Sequence, residues 1–378
     1  MAGNYQQKLN ISEKTDKIKY YVAYSYLLLR PLFKSKLFEF FDYDIERTFN
    51  ADEKDLKLFC EETQLSVPRD FLKKRDELDI EKCYEEAFKD EEVKIINYED
   101  EKFPPLLRQI PDFPVSLYYK GDIENMDYEH TLAVVGSRKA STEGKNALNV
   151  IIKGLCNNPV TIVSGLAYGI DAQAHIAALS VDLKAIAVVA SGLDIIYPAQ
   201  NTQLFHEILA KGGVIFSEYP LKTEPTRFSF PQRNRIVVGI SQGTFVVEAQ
   251  KKSGAMISAN LTLDYNRELM CMPGNVSNPN TEGIYYLIKN GAGMVCKTED
   301  IIECMNWDFK TNEKNNPLDE LTEEQKRIYE VMSMEAKTFD ELIIETKLDT
   351  STLMVILTEL ELNGLIKQVD NKFYKCSW

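Results

Sequence analysis

Apolar residues recur at helical spacing in the first part of the chain. Tyr20, Tyr21, Tyr24, Leu27 and Leu28 mark one stripe, and Leu37, Phe40 and Phe41 resume it after Pro31. The pattern predicts short helices over 16–75, within a small N-terminal helical domain assigned to 1–101. A proline-rich stretch from Lys102 to Gly121 then leads into an extended Val115-Ser-Leu-Tyr-Tyr119. From Leu132 the period changes. Short apolar runs at Leu132 to Val135, Thr161 to Val163, Ala185 to Val189, Val214 to Phe216, Thr244 to Val247 and Glu268 to Met272 alternate with helical stretches. That alternation predicts an α/β fold, a Rossmann-like parallel-sheet core with crossover helices over 102–306. Residues 307–317 read as a polar linker. Over 318–378, three helical periods (Leu321 to Met332, Thr338 to Thr346, Thr350 to Gly364) precede strands at Leu365 to Val369 and Lys372 to Lys375 about an Asp370-Asn371 turn, the order of a winged helix.

A parallel sheet places its ligand beyond the carboxyl ends of its strands, so the loops that follow the runs carry the candidate chemistry. The first strand ends in Gly136-Ser137-Arg138, and Ser141-Thr-Glu-Gly144 opens a helix, an arrangement suited to an anion. A dinucleotide reading fails here because G-x-G-x-x-G is absent and no acidic residue ends the second strand. The second loop, Ser164-Gly165-Leu-Ala167-Tyr-Gly-Ile-Asp171, has small residues where a backbone approaches a ligand or a neighbouring helix. Asp171 and His175 lie four apart on the next helix, and without a nucleophile or third orienting group they read as a structural pair. Glu248-Ala-Gln-Lys-Lys-Ser253-Gly254 again brings a hydroxyl, a glycine and two lysines to a helix start.

The most distinctive stretch is Arg227-Phe-Ser-Phe230-Pro-Gln-Arg233-Asn234-Arg235-Ile236. Its arginines and phenylalanines offer phosphate contacts and a flat face for an unstacked base, as in sequence-tolerant single-strand binders. The competing reading makes Phe228 and Phe230 core residues beneath a loop, with Arg233 and Arg235 paired to Glu218 or Glu248.

Net charge is −14, which at first opposes a nucleic-acid partner. Its distribution changes the picture. Residues 1–102 and 318–378 each carry −6, whereas 103–306 carry only −2, and Lys222 to Arg235 hold four basic residues against one acidic. A local basic groove is compatible with an acidic whole. The seven cysteines contain no C-x-x-C pair, and His206-Glu207 lacks a second histidine at position 210, so neither a disulfide framework nor a metal site is expected. Met1 to Thr15 is polar and no run is long enough to span a bilayer, which predicts a cytoplasmic protein without a membrane partner.

Taken together, Val-Gly-Ser-Arg138, Ser-Gly-Leu-Ala-Tyr-Gly-Ile-Asp171, Ser191-Gly-Leu-Asp with Tyr197-Pro198, Phe-Pro-Gln-Arg-Asn-Arg235, Val-Glu248 with Ser-Gly254, and Pro273-Gly274 with Gly291-Ala292 resemble the DprA/Smf family. The resemblance covers about 103–306 and the winged helix. At the N-terminus it is one of kind, where that family often carries a sterile-alpha-motif-like or helix-hairpin-helix cap. It implies a non-catalytic, cofactor-free homodimer that binds single-stranded DNA and loads the RecA recombinase onto it in natural transformation. By position, it implies that Gly136, Ser137 and Arg138 cradle a phosphate beside Ser164, Gly165 and Ala167. Arg227, Arg233, Asn234 and Arg235 would line the groove, Phe230 would meet a base, and Ser253 and Gly254 would close the pocket. Two positions depart from the pattern: Ala-Met-Ile-Ser-Ala after Gly254, where a Thr before the Ala is usual, and Ala199, where many members are basic.

Two other function classes are weighed against this one. Lysine-decarboxylase-like nucleotide hydrolases share a related fold but carry P-G-G-x-G-T-x-x-E, whereas Pro273-Gly274 here runs into Asn-Val-Ser-Asn-Pro. A duplex-DNA regulator would read DNA with the third helix of the winged domain. That helix holds Glu359 and Glu361 and no Lys or Arg.

Overall fold

The computed structural model describes residues 17–309, 321–332, 337–362, 365–369 and 371–375. The polar start, the linker from 310 onward, Gly364 and Asp370 lie outside the described residues. The chain divides into two compact units, Met1–Trp307 and Asp308–Trp378.

The first unit opens with helices α1 (17–26), α2 (Pro31–Phe40), α3 (Ile45–Phe49), α4 (Glu53–Thr63), α5 (Phe71–Asp76) and α6 (Ile80–Ala87), as the aromatic stripe predicts. Local signals set the turns between them. Asp44, Asp52 and Asp79 cap α3, α4 and α6 by accepting from first-turn N–H groups.

Strands β1 (Lys94–Asn97), β2 (Ser116–Gly121), β3 (Thr131–Val135), β4 (Thr161–Ser164), β5 (Lys184–Val189), β6 (Val214–Ser217), β7 (Gly243–Val246), β8 (Glu268–Cys271) and β9 (Gly293–Met294) form one sheet. Its order is β1-β2-β6-β5-β4-β3-β7-β8-β9. From β6 to β9 every pairing is parallel, while β1 and β2 extend the edge antiparallel. The chain moves outward from β3 through β4, β5 and β6, then crosses back to lay β7 on the other side of β3. That reversal opens a crevice at the carboxyl ends of β3 and β7, which finish in register at Val135 and Val246. The crossovers are α7 (Thr142–Lys153), α8 (Ile170–Leu179), α9 (Thr202–Ala210), α10 (Ser229–Ile240) and α11 (Gly254–Asp264), followed by α12 (Glu282–Lys289) and α13 (Thr298–Cys304).

Both faces of the sheet are buried, which is why its strands read as unbroken apolar runs. Along β5, Ile186 and Val188 join one core and Ala185, Ala187 and Val189 the other. The expected N-terminal domain is not separate from this body. Tyr21, Tyr24, Phe33, Leu37 and Phe38 pack in the same core as Val188 and Phe216, and β1, placed by sequence in the helical segment, pairs with β2 inside the sheet. A four-residue, half-buried edge strand has too few alternations to stand out from flanking charges.

The second unit is a winged helix. It contains α14 (Glu323–Val331), β10 (Lys337–Thr338), α15 (Phe339–Thr346), α16 (Thr350–Leu362), β11 (Ile366–Val369) and β12 (Lys372–Lys375), with sheet order β10-β12-β11. Capping boxes, Thr322 with Gln325 and Thr338 with Glu341, start its first two helices. Ile328, Leu342, Leu353, Leu357 and Phe373 fill its core.

Candidate nucleic-acid interface

A groove of about 750 Å³ runs across the carboxyl ends of the central strands. The loop after β3, the start of α10 and the start of α11 form its walls. Helix α10 begins where Thr226 and Ser229 exchange hydrogen bonds: Thr226 N donates to Ser229 Oγ (2.8 Å) and Ser229 N to Thr226 Oγ1 (3.1 Å). Pro231 falls in the first turn, where its missing N–H costs no helical bond. The distinctive Arg and Phe stretch is therefore helical from Ser229 onward, and helical spacing sorts its side chains. Phe230, Arg233 and Asn234, related by three and four residues, face the groove together.

Arg235 faces the other way. Its guanidinium, 2% exposed, binds the Glu218 carboxylate and the Asp112 carbonyl within the protein. The structure thus removes Arg235 from the groove wall implied by the resemblance, because two residues along a helix turn a side chain about 200°. Ser164 is likewise fully buried, its Oγ donating to the Val134 carbonyl at 2.6 Å. Strand β4 runs through Ser164, so the crevice begins one residue later.

Arg233 is also buried, but it borders the groove. Its Nη1 donates to the carbonyls of Gly165 and Val188. Gly165 is required at this point, since a Cβ there would overlap the guanidinium. Arg138 is exposed, and its guanidinium lies 4.7 Å from the centroid of the Phe230 ring. Arg227 stacks in the same way over Phe228, an outlying ring that is 64% exposed. Gly136, Ser137, Ala167, Ser253 and Gly254 complete the wall.

The loop that carries Arg138 is held by a residue far along the chain. Glu248, 3% exposed at the end of β7, accepts from Ser141 Oγ (2.5 Å) through one carboxylate oxygen and from Ser141 N (3.0 Å) through the other. Ser141 in turn caps α7 by accepting from Gly144 N at 2.9 Å. Asn280 Nδ2 donates to the Lys139 carbonyl at 2.9 Å and to Glu248 at 3.3 Å. Across the groove, Ser253 caps α11 without a side-chain bond, and its Oγ has no partner among the described residues. Three arginines, Arg138, Arg227 and Arg233, and the N-terminus of α11 line this groove, groups whose charge suits an anion.

Asp171 lines the groove, whereas His175 is fully buried. Burial raises the Asp171 carboxyl above the usual range, opposed by the nearby Arg233 charge. Burial lowers His175 to about 3, with Arg233 adding to the effect. Among the described residues neither ring nitrogen of His175 has a hydrogen-bond partner, so Asp171 and His175 do not form an acid–base pair.

A family model for DNA recombination-mediator protein A matches residues 94–306, and one for the DprA winged helix domain matches 312–372. The chain belongs to the DNA recombination-mediator protein A family. Among its relatives, the Smf protein of Escherichia coli is 41% identical over 213 residues, 56% of this chain and 57% of that protein. DNA processing protein DprA of Bacillus subtilis is 36% identical over 57% of this chain and 73% of its own length. The chain thus spans a little over half the length of the first of these. Of solved structures, DNA processing protein A of Streptococcus pneumoniae superposes with a TM-score of 0.64 at 30% identity, covering 77% of this chain and 98% of that one. DNA processing protein A of Helicobacter pylori, whose structure concerns its single-stranded DNA binding mode, superposes with a TM-score of 0.52 at 29% identity, over 58% and 97%.

In this member of the recombination-mediator protein A family, sequence reasoning missed Tyr197, Gln250, Ile257 and Ser258 along the groove, and Tyr168 beside it. The tyrosines were visible in the loops after the second and third predicted strands, but only the folded sheet shows that those loops converge on Phe230. Among the described residues no helix is long and apolar enough to cross a membrane.

Proposed function

We propose that this chain binds single-stranded DNA without catalysis along the groove at the carboxyl ends of β3 to β7, with its backbone phosphates on Arg138, Arg227, Arg233 and the N-terminus of α11. The observation that carries this reading is the Arg138 guanidinium seated over the Phe230 ring at the groove edge, 4.7 Å from its centroid. A cation and an aromatic ring at one groove edge fit a phosphate and its own unpaired base, whereas a duplex keeps its bases stacked inside. The Helicobacter pylori relative, with its single-stranded DNA binding mode, supports the same reading. We extend the proposal to a cytoplasmic homodimer that passes the strand to a RecA-type recombinase during recombination or natural transformation, a reading with which membership of a recombination-mediator family is consistent.

The test is fluorescence anisotropy of labelled poly-dT with wild type and Arg138→Ala across a salt series. Tight wild-type binding, weakened in the variant with a salt slope shallower by about one phosphate contact, is the expected result. Unchanged binding in the variant, or none in wild type, would overturn it. The finer claim is tested by whether the protein speeds nucleation of RecA filaments on protected single strands.

A further inference from the structure

In a winged helix that reads duplex DNA, the third helix enters the major groove and basic side chains hold the phosphates. Helix α16 has a different character. It carries no Lys or Arg, and it turns Met354 and Val355 outward, 59% and 57% exposed. Against it lies a groove of about 540 Å³, formed by one face of α16, the start of α15 and the β11–β12 hairpin. Met354, Thr358 and Glu361, spaced by four and three, line its helix side, and the buried Leu357 and Phe373 lie beneath. The groove is preset, because Gln368 N donates to Glu361 Oε1 at 3.0 Å and ties the hairpin to the helix.

The charges on this groove have one sign. Asp340 and Glu361 line it, and among the described lining residues there is no Lys or Arg. The neighbouring cations are engaged or turned away. Lys337 bonds Glu345, and Lys375 Nζ lies 4.3 Å from the Tyr329 ring centroid. Lys367 and Lys372 adjoin Gln368 and Phe373, which line the groove, so strand alternation sends their side chains to the other face.

We propose that this groove docks a partner protein through a basic amphipathic helix, its apolar face on Met354, Leu357 and Phe373 and its flanking Lys or Arg against Asp340 and Glu361. Charge complementarity selects this occupant. A phosphate backbone meets like charge here, as does a second copy of the chain presenting the same face, whereas a cationic helix with apolar anchors matches both the floor and the rim. Met354, unbranched and flexible, suits a surface that moulds itself to such an anchor. The site belongs to the second unit and does not depend on the single-stranded DNA reading of the first.

The experiment follows the anisotropy of a labelled helical peptide, with leucines along one face and lysines flanking them, titrated with the full chain. Two control peptides carry glutamate for lysine or serine for leucine. Wild type is expected to bind the first peptide and neither control, with affinity that falls as salt rises. Met354→Ser and Asp340→Lys, each checked for an unchanged thermal transition, should weaken binding about tenfold. Thr358→Lys, at an exposed groove position, should do the same and serves if either of those fails to fold. No binding by wild type, or equal binding by wild type and the folded variants, would overturn the proposal. Duplex DNA binding that Met354→Ser weakens would make α16 a duplex reader after all, and self-association of wild type that Thr358→Lys abolishes would give the groove to a second copy. Either result would overturn the basic-helix partner.

Discussion

The guanidinium of Arg138 lies 4.7 Å from the centroid of the Phe230 ring, joining the loop after β3 to the first turn of α10. On the proposed reading, a bound strand uses both groups. Arg138→Ala and Phe230→Leu should therefore be non-additive for poly-dT binding, with a coupling of about 1 kcal/mol in a double-mutant cycle. Strict additivity, measured by anisotropy at one salt concentration, would show that the two act on the strand separately.

Glu248 is expected to act on this pair at a distance. Glu248→Gln keeps the shape but replaces one charged acceptor facing Ser141 and Asn280 with an amide donor. It should cost about 1–3 kcal/mol of stability in urea unfolding. It should also weaken poly-dT binding while leaving the salt slope unchanged, because Arg138 is still present but less firmly placed. A variant as stable as wild type would mean that the carboxylate charge is not what fixes the loop.

Arg235 and Arg138 should separate cleanly, although the family resemblance assigns both to the groove. Arg235→Ala leaves the buried Glu218 carboxylate without its guanidinium, a loss of about 3–5 kcal/mol measured by chemical unfolding. The fraction that still folds should bind poly-dT normally. Arg138→Ala should show the reverse, with stability kept and binding lost. A strong binding defect in well-folded Arg235→Ala would return that residue to the groove.

Lys34 on α2 should give stability a pH dependence. It is buried, with its Nζ 5.0 Å from the Tyr24 ring centroid. Burial pushes its ammonium down to about 8, with Glu218 opposing and Arg235 reinforcing the shift. Between about 8 and the ordinary lysine value of 10.5 the folded protein has released a proton that the unfolded chain still holds, so this residue makes stability rise with pH across that window. Lys34→Met removes the buried charge. The variant should be more stable than wild type by about 2 kcal/mol at pH 7, and the gap should close by about pH 10. A gap that stays constant from pH 7 to pH 10 in urea titrations would contradict this.

Much of the architecture was legible in the chain. All six apolar runs from Leu132 to Met272 are strands, and the three helical periods before two strands are a winged helix. These features repeat over short distances, since a strand buried on both faces must be apolar along its length and a capped helix announces its start with Ser, Thr or Asp. The loops that carry Gly136 to Arg138 and Ser253-Gly254 were found for the same reason: they follow strand ends, where a parallel sheet leaves its crevice.

By itself, then, the sequence determined the order of the elements, the carboxyl edge of the sheet as the place where a groove opens, and most residue types that line it. Tertiary structure alone decided which of those residues face the groove. It sent Arg233 to the groove side of α10 and Arg235 to Glu218, buried Ser164 under Val134, drew β1 into the sheet, and joined Glu248 to Ser141, 107 positions away. Each outcome depends on a partner far along the chain. Local spacing specifies periodicity and end signals, but a buried charge goes wherever packing supplies its counter-charge, and that partner exists only once the sheet has closed.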